Sequence, residues 1–376
     1  MTKYVTNFTR TCFFNWSASK AIAEFVQNWL DSDGEREYLF GEDYITLTNR
    51  NISVSNNLLL MGASDKRNDE TKRGVHGCGS VQAMVVLTDL HYPVTIQNNS
   101  VLWKPRWEHC DKFSTDVMVI DETKAPQPNN DFIVTIEGLD REIIDEVVTR
   151  CLEFQDREVL FSTKYGDLIE TLNGETGEIY VGDLYVCQNP SFSYCYNFKP
   201  EFVKLCQDRN LVSQWDLQEL TSKLIIATND VELIKQSINL CTLDTRNCNQ
   251  YWDSSQRTSP EVDDALAQEF LEKHGTALVT NDPHKFQEMT RLGNKVALVQ
   301  TESLFKAITR SKVYKEAIED VEEIVKERFC DLALKVLDEL EYMVQNGEVL
   351  TKTYHKDLIE NLELLRKRID DADYDQ

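Results

Sequence analysis

Three glycines in the stretch Gly74-Val75-His76-Gly77-Cys78-Gly79 run directly into the apolar segment SVQAMVVLTDL, and no other junction in the 376-residue chain restricts the fold as much. Glycines at such a junction let the backbone approach an anion closely, and the free N–H groups at the start of a helix favour negative charge. The pattern predicts a polar loop that cradles phosphate and leads into a helix. A tight turn between helix caps accounts for the same glycines, so a second element has to support the reading. The stretch before the glycines is polar rather than a strand, and no acidic residue closes a second strand about twenty residues on, which excludes a dinucleotide-binding fingerprint. No Lys-Ser or Lys-Thr follows the last glycine, which excludes a P-loop.

The second element lies upstream. Ser17 precedes AIAEFVQNWL, in which Ala21, Ile22, Phe25, Val26 and Trp29 recur at helical spacing as a stripe to be buried. Glu24, Asn28 and Asp31 stand at i, i+4 and i+7 and so share one face of that helix. By itself such a polar face is ordinarily solvated.

The rest of the chain sorts into blocks. YITLTNRNISV alternates like a strand pair around a polar turn, a short apolar helix leads into the glycine loop, and SVQAMVVLTDL reads as a helix. PVTIQ, SVLWKP, TDVMVID and DFIVTIEG follow as strands, then LDREIIDEVVTRCLEF as a helix. Strands and helices on one sheet give an α+β chain whose first domain, residues 1–148, is a two-layer α/β sandwich. Residues 149–312 form a second α/β block: EVLFST, GEIYVGDLYVCQ and FSYCYNF as strands, then helices alternating with TALVTN and KVALVQ. Residues 313–376 read as an acidic arm of two amphipathic helices, able to pack on the body or on a copy of the chain.

Together these segments resemble the GHKL ATPases, the gyrase, heat-shock chaperone, histidine kinase and MutL class with the Bergerat fold. Glu24-x-x-x-Asn28-x-x-Asp31 looks like their N-box, and Gly74-x-x-Gly77-x-Gly79 like their lid glycines. The resemblance implies ATP and Mg²⁺ as ligands: Asn28 gives its amide oxygen to the metal, Glu24 orients and deprotonates the attacking water, and Gly74, Gly77 and Gly79 hold the phosphates. Lys66 is read equally as a phosphate partner or as a solvated charge. Where the family has Asp-x-Gly-x-Gly, this chain has Asn49-Arg50-Asn51-Ile52-Ser53. An Asn oxygen can still accept from the adenine amino group, but a neutral hydrogen bond is worth about 0.5–1.5 kcal/mol against about 1.5–3 for a charged one. Weaker adenine binding or looser base selectivity is the expectation. Asn51 tolerates a left-handed backbone better than most residues, so the turn is expected to survive without glycine. Thr135 is the nearest counterpart of the family's later threonine.

The second block resembles the transducer domain that follows the ATPase domain in gyrase B, MutL and the chaperones. Lys204 or Arg209 would then be its phosphate sensor, against the plainer reading of a surface loop charge. The whole chain looks most like bacteriophage RIIA-type proteins, with a host cytoplasmic address in that case. A formal charge of −24 disfavours a broad contact with nucleic acid. The ten scattered cysteines form no Cys-x-x-Cys, against a zinc site or a disulfide framework. No run is apolar enough for a membrane span, and the start lacks a secretory pattern, so a cytoplasmic protein is expected. The leading reading is an ATP-dependent conformational switch with slow hydrolysis, acting on a partner protein or a second copy. The alternatives are a nucleotide-binding pseudo-ATPase and an acidic interaction module without catalysis.

Overall fold

A computed structural model describes residues 2–12, 15–59, 79–172, 174–203, 214–240, 242–248, 257–291 and 293–319, with a few single positions beyond. Two compact units divide the chain. The first comprises residues 1–228 and 242–247, the second 229–241 and 248–376.

In the first unit seven strands form one fully antiparallel sheet. They are β1 (Thr2–Thr9), β2 (Glu35–Phe40), β3 (Tyr44–Arg50), β4 (Val94–Asn98), β5 (Val101–Cys110), β6 (Thr115–Lys124) and β7 (Phe132–Glu137). Their order across the sheet is β1-β6-β5-β4-β7-β3-β2. Three helices, α1 (Ala18–Leu30), α2 (Gly79–Asp89) and α3 (Arg141–Thr149), cover one face and close the core with the inward residues of the strands. Helix α1 starts where the sequence places it: Ser17 is extended and its side chain accepts the Lys20 N–H at 3.2 Å. The expected stripe is the buried face, with Ala21, Ile22, Phe25, Val26 and Trp29 all at most 3% exposed. Each large side chain so buried stabilises the layer by about 1.5–3 kcal/mol. Period-two burial in β3 sends Ile45, Leu47 and Asn49 to the helix side.

YITLTNRNISV is one strand, not two. The chain leaves β3 at Arg50 and turns at Asn51 (φ 55°). Residues 52–55 then run outside the sheet, and a side chain rather than a neighbouring strand takes the Val54 backbone groups: Asn98 accepts the Val54 N–H at 3.1 Å and donates to the Val54 carbonyl at 2.7 Å. The helix read through LEF ends at Thr149, and Leu152–Phe154 form a short 3-10 turn.

The same unit holds a five-stranded mixed sheet, ordered β11-β10-β12-β9-β8. Its strands are β8 (Val159–Ser162), β9 (Gly166–Ile169), β10 (Glu178–Val181), β11 (Leu184–Gln188) and β12 (Cys195–Phe198), with α4 (Gln214–Ala227) after them. An aromatic cluster fastens the turn before this sheet to the edge of the first. Phe154 lies 4.8 Å from Tyr38, 4.9 Å from Phe40 and 5.5 Å from Trp29, centroid to centroid. Arg157, almost fully buried, pairs with Glu178 at 2.6 Å and donates to the Glu170 carbonyl.

The second unit contains α5 (Val231–Leu240), α6 (Pro260–His274), β13 (Leu278–Thr280), α7 (Pro283–Arg291), β14 (Val296–Leu298) and α8 (Glu302–Arg310). Strands β13 and β14 are parallel, joined by α7 as crossover. Ala267, Phe270, Ile308, Tyr314 and Ile318 form its core, and Arg310 grips the buried Asp263 with two bonds of 3.1 Å. Most of the C-terminal arm lies outside the described residues. No helix among the described residues is long and apolar enough to cross a membrane.

Candidate functional site

The site forms where α1 meets the start of α2. Gly79 is the first residue of α2, and it lies against Glu24. A methyl group added at Gly79 would collide with Glu24 Oε2 and stand 3.2 Å from its Cδ. One turn further along α1, the Asn28 amide Nδ2 donates to Ser80 Oγ at 2.8 Å. Two of the three polar residues of α1 therefore face the N-terminus of the helix that the glycine motif opens. A helix N-terminus presents N–H groups that have no partner within the helix, and the positive pole of the helix dipole.

Glu24 and Asn28 are half-buried, a position between a solvated face and the core. With Nδ2 committed to Ser80, Asn28 Oδ1 is left without a hydrogen bond among the described residues. An amide oxygen in that state suits a hard cation that takes oxygen ligands. Among the described residues no group of three or more His, Cys, Asp or Glu side chains could hold a metal by itself. The Asn28 amide oxygen with the Glu24 carboxylate one turn earlier fits Mg²⁺, which keeps several waters and is otherwise held by one or two carboxylates and substrate phosphates rather than by an all-protein cage. Asp31 ends α1 as its C-cap and is only 2% exposed. Lys66, Gly74 and Gly77 lie outside the described residues, as do Lys204 and Arg209.

Asn49 stands on β3 opposite Arg36 of β2 and Phe132 of β7, and it is 3% exposed. Its Nδ2 donates at 3.0 Å to the backbone carbonyl of Trp29, whose own Nε1 donates at 3.0 Å to the Thr48 carbonyl. This reciprocal tie fixes the amide: the nitrogen faces the end of α1, and Oδ1 accepts no hydrogen bond among the described residues. It also accounts for Asn where the resemblance leads one to expect Asp. A carboxylate at position 49 would set one of its oxygens against the Trp29 carbonyl, at the negative end of α1. Asn49→Asp is therefore expected to destabilise the first unit by about 1–3 kcal/mol, read as a lower urea midpoint at pH 7 with an unchanged slope; an equal or higher midpoint would refute this account of the amide.

Asn51 has φ 55°, so the turn does survive without glycine. Its N–H donates at 3.1 Å to Asp131 Oδ1, and Arg50 Nη1 donates at 2.7 Å to Asp131 Oδ2. Burial by itself would push the Asp131 carboxyl up, but the Asn51 N–H and the Arg50 guanidinium outweigh it and hold the group below its usual range. A folded pKa below the unfolded one stabilises the fold above the ordinary carboxylate range, and the contribution is lost as pH falls through it.

Thr135 is not beside Asn49. It pairs with Thr46 on the other face of the sheet, hydroxyl to hydroxyl at 3.3 Å, because the period-two alternation of β7 sends Phe132, Val134 and Ile136 to the helix side. Sequence reasoning also passed over Ser80, Asp131 and Asn98. The signal for Ser80 was its place directly after Gly79. Asp131 lies 80 residues from its partner Asn51, and no local pattern ties the two.

A family model described as the Mycoplasma pneumoniae MPN635 N-terminal domain matches residues 142–231, less than half of the chain. No curated protein sequence matches. Two solved structures of the ATPase region of Saccharomyces cerevisiae topoisomerase II are similar, one of them bound to ICRF-187 (dexrazoxane). The dexrazoxane complex has 11% sequence identity and a TM-score of 0.32, and the other structure 12% and 0.31. In each case the match covers 45% of this chain and 62% of that one, so this chain spans less than two thirds of their length.

Proposed function

We propose that the chain binds Mg-ATP between α1 and the start of α2 and hydrolyses it slowly, as a nucleotide-driven conformational switch. The observation that carries the reading is the meeting of Glu24 and Asn28 with Gly79 and Ser80. Two side chains one helical turn apart face a helix N-terminus, and the oxygen of one, Asn28 Oδ1, has no hydrogen bond among the described residues.

In this reading Asn28 Oδ1 would hold Mg²⁺, which when bound would supply charge neutralisation for the triphosphate. Glu24 orients a water and accepts its proton at a carboxylate oxygen. The N–H groups at the start of α2 receive phosphate oxygens, Gly79 leaving the close approach that a larger residue would block. Gly74, Gly77 and Lys66 are proposed to complete the cradle, Asp31 to close the polar face of α1, and Asn49 Oδ1 to accept from the adenine amino group. The finer assignments, a regulatory role of the phage RIIA kind, a transducer role for the second block and a protein partner or homodimer, are extensions of the same proposal.

A thermal shift tests binding. Mg-ATP at about a hundredfold excess over its Kd should stabilise the chain by roughly 2.7 kcal/mol, whereas an unmoved melting curve at millimolar Mg-ATP would end the nucleotide reading.

A further inference from the structure

We infer that Asp131 is a positioning residue for the base end of the nucleotide site, holding the turn after β3 in the form that a glycine would otherwise supply. The inference rests on the proposed ATP reading and adds a residue to it.

The β3–β7 ladder ends at the pair Asn49 and Phe132. One step beyond, where a further strand bond would fall, the Asp131 side chain takes over: Oδ1 accepts the Asn51 N–H and Oδ2 the Arg50 guanidinium. The carboxylate is itself held in place. Its backbone N–H donates to Asn129 Oδ1 at 3.0 Å, its carbonyl accepts the Asn99 N–H at 2.9 Å, and the residue is only 6% exposed. Arg50 reaches back with two more bonds, 3.0 and 2.6 Å, to Glu37 on the edge strand β2.

The turn is also crowded from the other side. A methyl group on Gly34 would stand 2.5 Å from Ile52 Cγ1 and 2.6 Å from the Arg50 carbonyl oxygen, so the 50–52 backbone has little room to move that way. A left-handed residue other than glycine costs free energy that something nearby must offset. The Asn51 N–H is the backbone donor fixed by that conformation, and Asp131 is its acceptor. Asn49, two residues earlier, depends on the same strand end for its register opposite Phe132 and for its bond to Trp29. Loosening the turn therefore loosens the one acceptor assigned to the base, while the contacts of Glu24 and Asn28 with Gly79 and Ser80 involve none of these bonds.

The test compares Mg-ATP with Mg-tripolyphosphate, which engages only the phosphate end, on the full chain. Asp131→Ala should weaken Mg-ATP on the order of tenfold, equivalent to about 1.4 kcal/mol, and leave Mg-tripolyphosphate unchanged. Asp131→Asn, which keeps an acceptor for the Asn51 N–H, should lose less and guards against a variant that fails to fold. Asn51→Gly combined with Asp131→Ala should recover most of the lost ATP affinity, since glycine holds the left-handed backbone unaided. Equal loss of both ligands, or no loss of either, overturns the positioning role while the nucleotide reading stands. Failure of the parent chain to bind either ligand overturns both.

Discussion

Glu24→Gln is expected to lower ATP turnover by on the order of 10²–10⁴-fold, the range for losing a positioned general base, with Mg-ATP affinity retained. Gln has the shape of Glu and can still lie against Gly79, but its amide does not take the proton of the attacking water. An independent change should have a related effect from the opposite side of the contact. Gly79 has no left-handed backbone that would exclude a side chain, so Gly79→Ala should not strain α2 itself. The added methyl nevertheless collides with the far end of Glu24, which is flexible enough to move aside. Turnover is therefore expected to fall in Gly79→Ala while the melting temperature holds. Phosphate release and thermal melts on the two variants decide the matter: parent-like turnover in both removes Glu24 from the mechanism, and a large loss of stability in Gly79→Ala refutes the steric account.

That contact was legible in part from the sequence. Helical spacing put Glu24 and Asn28 on one face, and the glycines marked the start of α2, but nothing local required that the two elements meet. The spacing also left Asp31 looking solvent-facing, whereas it is the buried C-cap of α1. Periodicity located α1, α2 and the strands β4 to β7, since alternating apolar residues report directly on a half-buried sheet. It overlooked β1 and β2 at the sheet edges. β2 reads Glu-Arg-Glu-Tyr-Leu-Phe, and its residues are largely exposed, so burial leaves no alternation to find. β9 is only four residues long and begins at a glycine, Gly166 at φ 143°, too short for the same method. The tie of Asn49 to Trp29 and the clamp of Asp131 on Asn51 join residues 20 and 80 positions apart, which only the folded chain brings together.

The largest stability effect is expected from a residue far from these motifs. Asp244 is fully buried, and the described residues give it no ion pair. Its Oδ2 accepts the Ser193 N–H at 2.9 Å, the Tyr194 N–H at 3.3 Å and the Tyr196 hydroxyl at 2.7 Å, and Oδ1 accepts the Thr242 hydroxyl at 2.6 Å. Its backbone carbonyl takes the Thr221 and Ser222 hydroxyls of α4 at 2.9 and 3.1 Å. Residues 242–247 thus rejoin the first unit, after α5, through one carboxylate laid on Ser193, Tyr194 and Tyr196 at the start of β12 and one carbonyl laid on α4. Asp244→Ala strands several buried donors at once, each at about 1–3 kcal/mol, so a loss of roughly 3–5 kcal/mol is expected, near the upper end for single substitutions. For a unit of this size that lowers the melting temperature by roughly 10 °C. Tyr196→Phe removes a single donor and should cost about 1 kcal/mol. Added to Asp244→Ala it should cost less than it does alone, because the 2.7 Å bond between the two side chains is already lost. Urea unfolding of the parent, the two single variants and the double variant closes this cycle. If the two losses simply add, the hydroxyl and the carboxylate act independently, and the buried network does not hold this segment as described.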